Sequence, residues 1–120
     1  KGDLSKQLTK ACLNQDFVGK APVNIVLAAV YERTTRYYGE RGYRYVHIDI
    51  GHAAQNLYLE ATAIGLGCVG VGAFIDEDVK EIVGLRNGEQ PVYILPVGVP
   101  VVEYRVSEHD IHRFIDQHRE

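Results

Sequence analysis

The sequence predicts one domain of alternating helices and strands, layered as α+β or α/β, on three observations. Residues 21–30, opening Ala21-Pro22-Val23 and ending at Val30, form a nearly unbroken apolar run rich in valine and isoleucine. Such a run, with proline only at its start, is the pattern of a buried strand. Residues 44–66 carry apolar side chains at helical spacing over the longest periodic stretch of the chain. Residues 68–74 and 91–97 then read as further strands separated by a short helical pattern.

In chain order, residues 3–15 place Leu4, Leu8, Ala11 and Cys12 at helical spacing behind a possible Asp3 or Ser5 cap, a surface helix. After the first strand, residues 31–43 turn aromatic and charged with two glycines, a loop or a short helix and loop. In the helix predicted over 44–66, Val46, Ile50, Ala53, Leu57, Ala61 and Ile64 share one face, while Ile48, Leu59, Ala63 and Leu66 occupy others. A helix apolar most of the way round must be buried most of the way round, as a central helix or at a subunit interface. Gly51, Ala53, Ala54 and Ala61 would permit close helix–helix approach, and Gly65 and Gly67 end the helix. Cys68 to Phe74 is a glycine-laced strand, and Asp76 to Leu85 a helix capped by Asp76. Pro91 to Val97 is a second buried strand, followed by an extended arm over Val101 to Val106. Ser107, with Asp110 three residues on, opens an amphipathic helix that turns Ile111, Phe114 and Ile115 inward.

A chain of 120 residues with 46% apolar and 24% charged residues can bury a core, and a net charge of −3 argues against a polyanion partner. No apolar run approaches the roughly 20 residues that span a bilayer, and no basic-then-apolar signal opens the chain, so the expectation is a cytoplasmic protein that binds neither membrane nor nucleic acid. Cys12 and Cys68 lack CxxC spacing and read as free buried thiols. The chain starts at Lys1 and contains no methionine, which reads as a trimmed start.

Gly65-Leu66-Gly67-Cys68-Val69-Gly70 matches the letters of the dinucleotide fingerprint GxGxxG. That fingerprint follows a strand and opens a helix, whereas here a helix precedes and a strand follows, so a phosphate would meet a helix C-terminus of the wrong dipole sign. Gly70 and Gly72 still require a cause within a strand: close packing of another group, or a flat ligand lying against the backbone. His52 shares a helix face with Asp49 and Asn56, a ligand set too thin for a metal, and His47 points about 140° away. It reads as a packed histidine or a pocket group, and the tail histidines His109, His112 and His118 as solvated. Tyr31, Tyr37, Tyr38, Tyr43 and Tyr45 crowd together with Arg33, Arg36, Arg41 and Arg44. This mixture suits a flavin or nicotinamide ring and phosphates; the interspersed acids argue against RNA.

Three stretches together carry a family resemblance: Tyr37-Tyr38-Gly39-Glu40-Arg41-Gly42-Tyr43-Arg44-Tyr45, Asp49-Ile50-Gly51-His52-Ala53-Ala54-Gln55-Asn56-Leu57, and Gly65-Leu66-Gly67 through Gly72-Ala73-Phe74. With Gln15-Asp16-Phe17, Ala21-Pro22, Asp76 and Pro96-Val97-Gly98 they make the chain resemble the SagB-type dehydrogenase branch of the nitroreductase superfamily over roughly residues 1 to 100. The resemblance implies a nitroreductase-like α+β sandwich, a sheet flanked by helices, with the long helix in a homodimer interface and FMN between subunits. Residues 1–120 would be a single partial domain lacking the usual N-terminal portion, with its Arg-Arg-Ser-like phosphate-binding segment, and 101–120 a divergent arm and helix. Implied cofactor contacts are the backbone of Gly70, Val71, Gly72 and Ala73, with Arg41 and His52 as pocket groups. Amides near Gly72 and Ala73 would face the flavin nitrogen that takes the hydride. The implied function is FMN-dependent transfer of hydride from NAD(P)H to a small-molecule acceptor. The alternatives are a dimerising relative without flavin, or an azoline dehydrogenase. Relatives that oxidise azolines use a Lys-Tyr pair where this chain has Tyr37-Tyr38. Tyr38 would be the catalytic base, a poor one given an ordinary tyrosine pKa near 10.

Overall fold

The computed structural model describes residues 2–102 and 106–119. The first predicted helix is two: α1 (Ser5–Ala11) and α2 (Asp16–Lys20), separated by a sharp reversal. At that reversal Leu13 and Asn14 both adopt positive φ, 55° and 60°. An L-residue held in the left-handed region costs about 1 kcal/mol or more, and asparagine tolerates it better than leucine. Helical periodicity carries no sign of this break, because Leu8, Ala11 and Cys12 keep their inward face up to it.

β1 (Val23–Ala29) follows, then α3 (Glu32–Tyr38) and α4 (Arg41–Ala63). The stretch 31–43 is thus a helix, a turn at Gly39 and the first turn of the long helix, which starts three residues earlier than its periodicity indicates. The reason lies at Gly42. It is buried, and a Cβ there would come within 2.8 Å of the Thr35 Cα and 2.9 Å of its nitrogen. A glycine that reads as loop punctuation is the point where α3 and α4 cross backbone to backbone. At the far end Gly65 takes φ 77°, and the Leu66 amide reaches back to the Ala61 carbonyl at 2.7 Å, closing the helix at the first of the two predicted glycines; Gly67 already lies in the next strand.

The sheet has the order β1-β3-β2, all antiparallel, with β2 only Gly67–Cys68 and β3 Gln90–Gly98 at the centre. β1 and β3 run from Val23↔Val97 to Ala29↔Gln90 with an irregularity between Leu27 and Ala28. α5 (Asp76–Val83) leads from the glycine segment towards β3. Ile94 of β3 packs with Leu8, Ala11, Cys12, Val18, Val71 and Val79, the core between the sheet and α1, α2 and α5. Neighbouring Leu95 leaves the opposite face of the strand and is equally buried, and α4 packs on β3. The protein is therefore a sheet with helices on both sides.

Further expectations change. The strand expected over 68–74 is regular only at Gly67–Cys68, with a single bridge from Val71 to Ile94; the rest is an irregular segment. Asp76 does not cap α5: Ile75 holds the cap position without a side-chain bond, and Asp76 lies in the first turn, where its charge still favours the helix dipole. Within one chain α4 is not buried all round. Gly42, Val46, Ala54 and Ala61 form its buried stripe, while Ile48, Leu59 and Gly51 are exposed.

α6 (Glu108–His118) has the predicted capping box: Ser107 Oγ accepts from the Asp110 amide, and the Asp110 carboxylate accepts from the Ser107 amide. Its apolar residues Ile111, Phe114 and Ile115 are exposed rather than turned inward. The expected arm over 101–106 lies partly outside the described residues. Among the described residues, no helix is long and apolar enough to cross a membrane.

Candidate active site

The irregular segment between β2 and α5 is held at most of its peptides. The Val71 amide donates to the Ile94 carbonyl at 2.8 Å, and the Ile94 amide returns to the Val71 carbonyl at 3.0 Å. In a trans peptide the C=O and the following N–H point in opposite directions, so the Gly72 amide is aimed away from β3. Further on, the Gln15 carboxamide donates to the Ala73 carbonyl at 3.1 Å, and the Ile75 amide donates to the Ala11 carbonyl at 2.9 Å. The peptide between Gly72 and Ala73 lies between these anchors. Among the described residues no protein acceptor takes the amides of Gly72, Ala73 or Phe74. Gly72 and Ala73 are exposed. The result is a run of unspent N–H donors on a braced backbone.

The glycines divide between the two causes left open above. A Cβ at Gly70 would collide with the hydroxyl and ring of Tyr93 on β3, so this glycine is a matter of close packing. At Gly72 a Cβ would meet only the Tyr93 Cε2, at 4.0 Å. Nothing within the chain requires its smallness. Open space over a glycine beside free donors is what a flat, hydrogen-bond-accepting ligand needs. Val71, by contrast, is 2% exposed with both backbone groups engaged by Ile94, so it braces the segment and offers a ligand nothing. The Gly70 backbone faces the Tyr58 hydroxyl of α4; burial raises the Tyr58 pKa, and this amide acts in the opposite sense.

The predicted side chains do not converge on this backbone. Tyr38 is exposed at the end of α3, its ring edge-on to Tyr45 with centroids 5.1 Å apart. Arg41 is exposed at the start of α4. His52 is exposed and lies about 160° around α4 from buried Ala54, on the face turned away from the sheet. No hydrogen bond, ion pair or ring contact joins any of the three to residues 70–74 among the described residues.

The structure adds His47 to two of the tyrosines grouped by sequence. Tyr31 hydrogen-bonds His47 across 2.8 Å and packs on Tyr43 with centroids 5.1 Å apart. Burial raises the Tyr31 pKa, helped by the Asp76 carboxylate and Tyr43, so the phenol keeps its proton. The helical-wheel separation of His47 from His52 was correct, but it gave no sign that Tyr31 would be His47's partner. Among the described residues no group of three or more His, Cys, Asp or Glu could hold a metal ion.

Residues 2–99 match the Nitroreductase family. A candidate nitroreductase of Methanocaldococcus jannaschii is 50% identical over 96 residues, which cover 80% of this chain and 48% of that protein. The chain thus spans about half the length of that curated relative. A crystal structure of a candidate nitroreductase from Anabaena variabilis is 36% identical and superposes with a TM-score of 0.76, covering 81% of this chain and 20% of that one. NADPH:FMN oxidoreductase from Vibrio harveyi, solved in complex with NAD+, shares the fold at a TM-score of 0.70 and 22% identity, over 98% of this chain and 63% of its own.

Proposed function

The chain belongs to the nitroreductase family and has its α+β fold, and from that premise we propose that it forms the flavin-facing part of an FMN-dependent oxidoreductase. One observation carries the reading: the unspent amides of Gly72, Ala73 and Phe74, braced on both sides and open to a flat ligand above Gly72. FMN, when bound, supplies the acceptance and donation of hydride at its central ring. The chain contributes pre-aimed N–H dipoles. Donors held in place before the reaction need no reorganisation, and they favour the electron-richer state of a ring placed against them. The donor set fits the oxidised ring, whose central nitrogen and neighbouring carbonyl oxygen would accept from N–H groups such as those of Gly72, Ala73 and Phe74.

The proposal extends to NAD(P)H as hydride source and an unidentified small-molecule acceptor, in a cytoplasmic protein. The motifs from Tyr37 to Phe74 favour the SagB-type branch within the family. A homodimer is part of the same reading: Ile48, Gly51 and Leu59 leave an apolar, partly small-residue face on α4 that a second copy would cover. In such a dimer His52 and Arg41, both exposed on α4, would face the partner's surface.

Absorbance and fluorescence titration of the purified chain with FMN tests the reading. The expected result is a saturable change in the flavin bands, followed by bleaching when NADH or NADPH is added without oxygen. A chain whose spectrum stays that of free FMN at high micromolar flavin sinks it.

A further inference from the structure

We propose that Gln15 is a positioning residue for this site, fixing the peptide that follows Ala73; the assignment rests on the flavin reading. Gln15 is separated from Ala73 by 58 residues of sequence, yet its carboxamide nitrogen donates to the Ala73 carbonyl at 3.1 Å and to the Cys12 carbonyl at 2.9 Å. A carboxamide nitrogen carries two hydrogens, so both are spent. One pins the side chain to the end of α1; the other pins the Ala73–Phe74 peptide to that side chain.

The location of this bond gives it a role beyond tying two elements together. On the β3 side, Ile94 fixes the peptide before Gly72 through both Val71 groups. On the α1 side, Ala11 fixes the peptide before Ile75. Between these anchors only the Gln15 bond restrains the chain. With it, the Phe74 amide points away from α1, and the Gly72–Ala73 peptide is confined between two held neighbours. Without it, two successive peptides are free to rotate, and the donors of Ala73 and Phe74 lose their common aim.

The backbone that delivers Gln15 is itself unusual. Leu13 and Asn14 are the two non-glycine residues with positive φ among the described residues, and Gln15 follows them directly. Unfavourable backbone conformations persist where the surroundings over-determine them, and they gather at functional sites. Here the turn is locked by the Asn14 amide on the Thr9 carbonyl at 2.9 Å and the Gln15 amide on the Cys12 carbonyl at 3.1 Å. It brings the carboxamide from the end of α1 onto Ala73.

The test compares the unsubstituted chain with Gln15→Met, which keeps the length without a donor, and Gln15→Glu, whose carboxylate opposes the carbonyl. Three readouts are taken: the amide NMR signals of residues 72–74 without flavin, the FMN dissociation constant, and the two-electron midpoint potential of bound FMN. Both variants are expected to fold, to shift the Ala73 and Phe74 signals, and to bind FMN about tenfold more weakly. Their potentials should fall by about 30 mV, a tenfold loss of preference for the reduced flavin. Unchanged potential and affinity in both variants, with or without a loss of stability, would leave Gln15 a structural residue and overturn the assignment. Failure of both variants to fold would do the same. If the unsubstituted chain binds no FMN, the flavin reading falls and takes this assignment with it.

Discussion

The hydroxyl and ring of Tyr93 fill the volume in which a side chain on Gly70 would lie, whereas two residues on, Gly72 meets Tyr93 only at 4.0 Å. Two glycines of one motif therefore serve different ends. Gly70→Ala should lower the unfolding free energy by about 1–3 kcal/mol, the usual cost of overpacking a close contact. Gly72→Ala should leave urea unfolding within about 1 kcal/mol of the parent while weakening FMN binding. Equal stability losses in the two variants would contradict this division.

The turn at Leu13 offers a stabilising substitution. Leu13 is 56% exposed and holds φ 55°. Leu13→Gly removes the steric penalty of that conformation at the cost of some unfolded-state entropy, for a net gain of up to about 1 kcal/mol. Urea denaturation should show the midpoint rising with an unchanged slope.

The proposed dimer can be broken from its exposed face. Ile48 is 47% exposed on α4 and makes no part of the buried stripe. Ile48→Asp should leave the helical circular dichroism intact and shift the sedimenting species from dimer to monomer. A parent chain that sediments as a monomer at high concentration would remove the dimer from the proposal.

Two thiols should be slow nucleophiles. Burial raises the pKa of both Cys12 and Cys68, and only the thiolate reacts. Iodoacetamide at pH 8 should modify the folded chain much more slowly than the urea-unfolded chain. Cys68 should react before Cys12, which is wholly inaccessible.

The start of α6 should loosen in acid. The Ser107 hydroxyl, then its amide, hold the Asp110 carboxyl below its ordinary value. A lowered folded pKa means stabilisation that is complete above the unfolded value, near 3.9, and is lost as pH falls through the folded value. Secondary chemical shifts of residues 107–111 should be constant from pH 8 to 6 and move towards coil below about pH 4. Asp110→Asn should remove that dependence.

How much of this was legible beforehand follows from the range of each interaction. The helices, the strands β1 and β3, the glycine stop at Gly65 and the Ser107–Asp110 box all arise from neighbours within a few residues, and periodicity reports them. The division of residues 3–15 at Leu13 was not visible, because leucine in the left-handed region contradicts local preference. The early start of α4 was hidden for a related reason: Gly42 reads as a turn residue, yet it stands inside the helix where the Thr35 backbone leaves no room for a side chain.

By itself, the sequence determined the layered α+β character, the long helix with more apolar surface than one chain buries, and a glycine segment whose smallness had to serve either close packing or a flat ligand. Tertiary structure alone decided what that segment can do. It set Tyr93 against Gly70 and left Gly72 open, brought Ile94 to Val71, and carried Gln15 across 58 residues to Ala73. It also left Tyr38, Arg41 and His52 without a hydrogen bond, ion pair or ring contact to residues 70–74 of the same chain, among the described residues. The physical reason is that a free amide is defined by every partner that fails to reach it. Spacing along a chain records which residues are near in sequence; only the packed fold determines which hydrogen bonds remain unmade.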